Sequence, residues 1–303
     1  MRVGIQSGQD MQSKRLHTDF KENRPLKVLV VFHVYYEEFV SYYLEKMKNI
    51  CGCEWDLVIT GGNLNIATRE RITAFKSDAV FCETPNIGYD VWPFLYVIQN
   101  TDLHQYDFVI KLHTKNQDSK TFRYNGIKFN GEKWRSELVE VLLGSRKRFI
   151  CLTDILCNHD KTGMAYSQSL DILLKDNLEQ DVDAVDREME RLGLDSSCRH
   201  FCGGTMFAAK SDALKWIKND KINKNLFDAP TGSHQTLTMA HVYERILSMA
   251  VVAEGYKIRL LRNSWKRSFH LYFKRSIQPC LEWIFSIDYC SGKKKVIVLG
   301  NKI

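Results

Sequence analysis

Long apolar runs are missing from this chain. The best of them, Ile246 to Ala253, is short and interrupted by Ser248, well under the roughly 18 to 20 residues that a spanning helix needs. No helical membrane crossing is expected. The first residues, Met1 to Asn23, are polar and charged and lack the apolar core of a secretory signal, which sets the expectation of a cytoplasmic protein. Matched cysteine pairs are missing too. The nine cysteines are odd in number, only Cys51/Cys53 and Cys198/Cys202 lie close together, and neither pair has the second half that would complete a zinc site. Reduced thiols and no cysteine-held metal follow. There is no internal repeat and no low-complexity linker, so the expected organisation is a flexible leader (1–26), one main domain (27–262) and a C-terminal extension (263–303).

What is present is an ordinary globular composition, 44% hydrophobic over 303 residues, enough to fill one large core. The net charge of +7 is uneven. Lys257 to Ile303 carry eleven Lys and Arg against Glu282 and Asp288, which leaves the remainder of the chain slightly acidic. A basic tail on a near-neutral body suits an acidic surface. No nucleic-acid recognition motif accompanies it, so nucleic acid is not the expected partner. Within the tail, Trp265, Phe269, Tyr272, Phe273 and Ile277 recur at helical spacing, with Lys266, Arg267, His270 and Lys274 mainly on the other side. Such a helix either packs on the main domain or lies on an anionic membrane as a peripheral anchor.

Strand-like and helix-like segments alternate from Lys27 onward. Lys27 to His33, Trp55 to Thr60, Asp78 to Glu83 and Tyr106 to His113 read as strands, with an amphipathic stretch through Ile50 and helices over Ala67 to Phe75 and Val91 to Gln99 between them. Further on, helices are expected over Lys133 to Leu143, from Ser167, from Asp181 and over Gln235 to Ala253, and strands at Phe149 to Thr153, Phe201 to Ala209 and Tyr256 to Leu261. This rhythm predicts an α/β fold with a largely parallel central sheet, plus a basic, aromatic helical appendage. Ligands of such sheets sit at the carboxyl ends of the strands.

The strand ends are therefore the places to look for chemistry. His33 follows the first strand, and Asn86, Gly88 and Asp90 sit where a loop becomes a helix. That position suits phosphate or sugar contacts, but Asp90 is equally suited to cap the helix. Lys111, His113 and Lys115 alternate onto one face of the fourth strand. A lysine inside an apolar strand is costly unless its charge meets a partner, whereas Lys115 also reads as a solvated turn residue. Gly203 and Gly204 either let backbone approach a ligand or simply turn the chain. His241, Glu244, Arg245 and Ser248 form a polar stripe at i, i+3, i+4 and i+7 that a solvated helix face would also give. Trp134 and Arg135 suit stacking on or gripping a ligand, but core packing and a surface ion pair are the expected roles.

Five segments then fall in a telling order: HVYYEEF (His33 to Phe39), NIGYDVWPFL (Asn86 to Leu95), KLHTK (Lys111 to Lys115), GGTMFAAK (Gly203 to Lys210) and MAHVYERILSMAVVAEGYKI (Met239 to Ile258). Together they resemble the rhamnan synthesis protein F family over roughly Lys27 to Leu261. The resemblance implies a GT-A-like fold and a glycosyltransferase moving a sugar, rhamnose or another deoxyhexose among them, from a nucleotide-sugar donor. The acceptor would be a lipid-linked or oligosaccharide end of a growing cell-surface polysaccharide or lipopolysaccharide. It also implies inversion, with Glu244, eleven residues before the Gly of the Gly255-Tyr256 pair, as the catalytic base. His33, Asn86, Gly88, Asp90, Lys111, His113 and Lys115 are then expected to bind the donor, and Gly203, Gly204, Thr205 and His241 the acceptor or sugar.

GT-A-like folds usually end the fourth strand with Asp-x-Asp, which holds a divalent metal against the diphosphate. Here that place reads His113-Thr114-Lys115, so no metal ligands are assigned and a divalent ion, though admitted, is not favoured. The Asp-x-Asp at Asp181 and Asp183 lies in a helical segment, where i and i+2 point apart. Losing the fourth-strand carboxylates also fits a rival reading, a non-catalytic sugar- or lipid-carrier-binding component of a glycan assembly complex.

Overall fold

The computed structural model describes residues 24–115, 121–124, 127–174, 179–195, 197–229, 238–263, 285–290, 293–298 and 301–302. β1 (Lys27–Val34), α1 (Val40–Met47), β2 (Glu54–Gly61), α2 (Ile66–Phe75), β3 (Val80–Glu83), α3 (Val91–Gln99) and β4 (Phe108–His113) follow one another in the rhythm the sequence predicts. The antiparallel pair β5 (Phe122–Tyr124) and β6 (Ile127–Phe129) leads into α4 (Gly131–Leu143) and α5 (Arg146–Cys157). β7 (Thr162–Ser167), β8 (Asp171–Leu173), α6 (Glu179–Leu192), β9 (His200–Cys202), β10 (Phe207–Lys210), α7 (Met239–Ala253) and β11 (Lys257–Leu261) complete the body.

Seven of these strands form one sheet in the order β11-β7-β10-β4-β1-β2-β3. All its pairs are parallel except the two made by β10. The α/β class with a mostly parallel sheet is thus what the chain adopts. Both faces are covered, as side-chain parity along the strands shows. Phe108 meets Phe149 of α5 at 6.3 Å between ring centroids, while Lys111, three residues on, lies against Phe94 of α3. Phe207 of β10 stands opposite Lys111 and also packs on Phe94. β1 and β4 are buried on both sides and mainly apolar, as sandwiched central strands require, with Lys111 and His113 the polar exceptions in β4.

Several expected elements come out differently. Phe149 to Thr153 is not a strand but part of α5, because Ser145 caps that helix by accepting from the Arg148 N–H and Phe149, Leu152 and Leu156 are buried at helical spacing. The segment from Ser167 is not a helix either. It closes β7 and turns through a short 3-10 stretch, Gln168–Leu170, into β8. Phe201 to Ala209 splits into β9 and β10 around the turn at 203–206, and α7 starts at Met239, the residues before Thr238 lying outside the described set.

Residues 1–23 and the amphipathic helix expected over Ser264 to Ile277 lie outside the described residues. Arg24, at the end of the expected leader, grips Asp107 with two hydrogen bonds of 2.9 and 3.1 Å. In the C-terminal extension, β12 (Phe285–Cys290), β13 (Lys293–Val298) and β14 (Asn301–Lys302) form an antiparallel sheet, so this stretch is strand where a helical appendage was expected. No helix among the described residues is long and apolar enough to cross a membrane.

Candidate active site

The chain lays down β1, β2 and β3 side by side, then returns to place β4 on the other side of β1. Such a reversal opens a crevice between the carboxyl ends of β1 and β4, where doubly wound sheets bind their ligands. His33 and His113 are register partners at this spot. Thr114 fixes the rim: its N–H donates to the His33 carbonyl at 2.9 Å, and its hydroxyl accepts from the Tyr35 and Tyr36 N–H groups at 2.8 and 2.9 Å. His33 Nδ1 lies 3.1 Å from the Thr60 hydroxyl at the end of β2.

Below the rim sits a polar cluster drawn from four distant parts of the chain. The Lys111 ammonium, 1% exposed, pairs with Asp90 Oδ2 and donates to the Thr205 hydroxyl at 2.9 Å. Thr205 in turn donates to the same Asp90 oxygen at 2.6 Å. The buried lysine flagged by the sequence therefore has its partner. Asp90 occupies the N-cap position of α3 but makes no side-chain capping bond; Lys111 and Thr205 engage its carboxylate instead. Burial alone would raise its carboxyl; the charges of His113 and Lys111 and the hydrogen bonds from Lys111 and Thr205 outweigh that and hold it well below the usual carboxylate range. Burial pushes the His113 imidazole down to about 4, with Lys111 and Lys115 adding to the effect and Asp90 opposing it. His33 is pushed to about 4 as well, again by burial first.

The cluster continues to α7. His113 Nε2 lies 2.8 Å from the Gly204 carbonyl, and the Gly204 N–H donates to Glu244 Oε1 at 2.9 Å. One turn earlier His241 faces the Tyr89 ring at 5.9 Å. Tyr89 and Thr205 are the two non-glycine residues with positive φ among the described residues, +54° and +47°, and both flank this cluster. Strained backbone of this kind concentrates at working sites. Gly204 has φ +86°, and a Cβ there would come within 2.9 Å of the Trp134 indole.

The other residues expected at the site have the following surroundings. Lys115 stands 4.0 Å over the Trp134 ring, with no carboxylate partner among the described residues. Arg135 is not a surface ion pair: it is buried, its guanidinium over the Phe39 and Tyr42 rings. The Gly88 N–H is engaged by the Asp228 carbonyl, the Gly203 N–H by the Leu170 carbonyl, and Asn86 is exposed on the loop. Arg245 and Ser248 do not form a solvated stripe. Arg245 is buried over Phe201 and donates to the His241 carbonyl, and Ser248 accepts from the Cys202 N–H. Sequence reasoning did not single out Tyr89, Thr60 or Thr114. Tyr89 lay inside a recognised segment, but a positive φ at tyrosine has no signature in composition or spacing.

The residues do not suit a divalent cation. Asp90 already carries an ammonium, and among the described residues no three His, Cys, Asp or Glu converge as ligands. Cavities of 420 and 490 Å³ open elsewhere, along α6, and share no residue with the cluster.

A mostly parallel, doubly wound sheet with a buried ionic cluster at its reversal point places the chain in the α/β class. The chain belongs to the rhamnan synthesis protein F family, whose model matches residues 9–256. It is 24% identical over 234 residues to the uncharacterized protein WxcX of Xanthomonas campestris pv. campestris strain B100, and equally to that of strain ATCC 33913. The match covers 76% of this chain and 32% of those proteins, so the chain spans about a third of the length of these curated relatives. Among solved structures, glucosyl-3-phosphoglycerate synthase from Mycobacterium tuberculosis, in complex with Mn2+, UDP and glucosyl-3-phosphoglycerate, aligns with 90% of this chain and 87% of its own. Identity is 10% and the TM-score 0.33, a likeness too slight to build on.

Proposed function

We propose that this chain is a GT-A-like glycosyltransferase, acting by inversion on a nucleotide-sugar donor in the building of a cell-surface polysaccharide or lipopolysaccharide. The observation that carries the reading is the position of Glu244. Its carboxylate is held by the Gly204 N–H beside the crevice at the β1/β4 reversal, in a family named for polysaccharide synthesis. A general base needs a defined position within reach of a hydroxyl, and a fixed hydrogen bond to one carboxylate oxygen leaves the other to take the proton.

In this reading the donor lies across the crevice between His33 and His113. The acceptor hydroxyl enters between Glu244 and the Tyr89–His241 ring pair. Glu244 removes its proton as the oxygen attacks the anomeric carbon, and the nucleoside diphosphate departs from the opposite face. Lys115, held over Trp134 with no carboxylate partner among the described residues, supplies the positive charge that the leaving diphosphate requires. Rhamnose or another deoxyhexose as the transferred sugar rests on the family name alone. A lipid-linked acceptor, and a place at the inner face of the plasma membrane, rest on the basic tail.

The test is donor hydrolysis and transfer over a panel of nucleotide sugars, with and without chelator. Glu244→Gln should lower turnover by about two to four orders of magnitude while the circular dichroism spectrum and donor affinity are kept. Near-normal turnover in the folded variant sinks the assignment. Donor binding without turnover in the unaltered chain would favour a sugar-binding component of an assembly complex instead.

A further inference from the structure

His241 enters α7 with one ring nitrogen already engaged. The Thr238 N–H donates to its Nδ1 at 3.3 Å, and the Thr238 hydroxyl lies 2.9 Å from the same atom. A backbone N–H can only donate, so Nδ1 presents its lone pair there and the ring's hydrogen sits on Nε2. Taking up a second proton would fill Nδ1, against the hydroxyl, and leave Nε2 as it is. In either charge state Nε2 is a donor. A flipped ring would put a carbon against Thr238 and lose both contacts, so they fix the ring's orientation as well. Nε2 has no partner among the described residues, and the ring is only half-buried, which leaves this nitrogen open to solvent.

Glu244 follows three residues on along the same face of α7, and the Cβ atoms of such a pair lie about 5 to 6 Å apart. Its Oε1 takes the Gly204 N–H at 2.9 Å, while Oε2 is open to solvent and has no partner among the described residues. An unspent donor and an unspent acceptor thus stand side by side, at a spacing that two hydrogen bonds through one oxygen, about 4.5 to 5.5 Å, can span. The N–H turns away a cation, and the carboxylate turns away an anion. What satisfies both atoms is a group that accepts and donates at once, an alcohol. The Tyr89 ring, 39% exposed and 5.9 Å from the His241 ring, adds an apolar wall for the carbon skeleton that carries it. We infer that His241 holds the acceptor hydroxyl: Nε2–H donates to the oxygen and so aims its hydrogen at Glu244 Oε2. As an electron pair of that oxygen bonds to the anomeric carbon, the O–H bond breaks and the proton passes to Glu244. The bond from the anomeric carbon to the diphosphate oxygen breaks in the same step, its pair leaving with the nucleoside diphosphate, and His241 keeps its proton throughout. This deepens the transferase reading and rests on it for that step.

The test compares two variants of the full chain that separate the ring's two contacts. In His241→Asn the amide oxygen stands near the place of Nδ1 and still takes the Thr238 N–H, but the donor at Nε2 is gone. In His241→Gln the amide nitrogen reaches the place of Nε2, and the contact with Thr238 is lost. The Asn variant should melt like the unaltered chain and bind donor as well, with kcat/KM for the acceptor down about 10- to 100-fold. The Gln variant should melt lower yet transfer within a few-fold of normal. The opposite order, normal transfer with Asn and impaired transfer with Gln, is what a residue that only caps α7 would give, and it overturns the inference. Equal transfer by the two variants overturns it too. A second arm needs no turnover. Nitrogen NMR of histidine-labelled protein, with His241 assigned by its absence in His241→Asn, should show Nε2 protonated. Titration with the methyl glycosides of rhamnose, glucose, galactose and N-acetylglucosamine should shift that resonance with at least one of them. A ring protonated at Nδ1 alone, or no shift with any glycoside, overturns the inference whatever the chain's activity. A chain that shows the shift but turns over no donor refutes the transferase reading and leaves the hydroxyl site standing.

Discussion

Lys111 is the side chain whose loss should be felt most. Removing a buried ammonium while leaving Asp90 charged typically costs about 3 to 5 kcal/mol, and Lys111→Met should show a loss of that order in urea unfolding. Pairing it with Asp90→Asn should restore part of the deficit, since the orphaned charge goes too, and the non-additivity of the double variant measures the coupling. The sequence exposed half of this arrangement. A lysine flanked by Ile110 and Leu112 in an apolar strand announces that it needs a partner, but the partner is 21 residues away and reads equally well as a helix cap. Only the approach of α3 to β4 selects the pairing. Thr205, expected beside the acceptor, bonds to Lys111 and Asp90, because its left-handed backbone turns the hydroxyl inward.

Helices and strands were legible to the extent that periodicity and flanking signals agreed. Val91 to Gln99 is helix with the expected bounds, its buried residues running through Val91, Trp92, Leu95 and Ile98. Phe149 to Thr153 misled because aromatic and β-branched residues favour strand locally, and the Ser145 cap before it was the overriding cue. Ser145→Ala should cost about 1 kcal/mol by calorimetry. β7 went unseen for the opposite reason. Gly163, Met164 and Ala165 have weak strand preference, but the strand is wedged between β10 and β11 and covered on both faces, where small residues fit. The loop ahead of α3 is more exacting. Gly88 has φ +62°, and a Cβ there would lie 2.7 Å from Trp92 Cβ and 2.8 Å from the Phe227 ring. Gly88→Ala should therefore destabilise by about 1 to 3 kcal/mol and, by displacing Tyr89 and Asp90, weaken donor binding in the same preparation.

For the molecule as a whole, acid should be the sensitive direction. His33 and His113 are held neutral down to about 4 in the folded state against an ordinary 6.5. Between those values the unfolded chain binds protons that the folded chain refuses, so stability falls as the pH drops. Each histidine contributes a slope approaching about 1.4 kcal/mol per pH unit. Asp90, depressed below its usual 3.8, adds a further loss as the pH falls under that value. Melting temperatures from pH 7.5 to 4 should decline below 6.5, and His33→Asn should flatten that decline. Protection that persisted to pH 4 would contradict the buried neutral state of both rings.

The inversion of β10 has a consequence for how the chain finds its fold. A one-residue slip in the pairing of this strand with β4 would send each of its side chains to the opposite face. Slippage would turn Phe207 to the wrong face of the sheet and carry Thr205 away from Lys111, leaving the buried ammonium with Asp90 alone. A buried ammonium short of one hydrogen-bond partner costs about 1 to 3 kcal/mol. The ionic cluster thus works as an error check on assembly, penalising every alignment of the two central strands but one. An all-apolar replacement of Lys111, Asp90 and Thr205 could be as stable as the original, yet it would fold without that discrimination between registers.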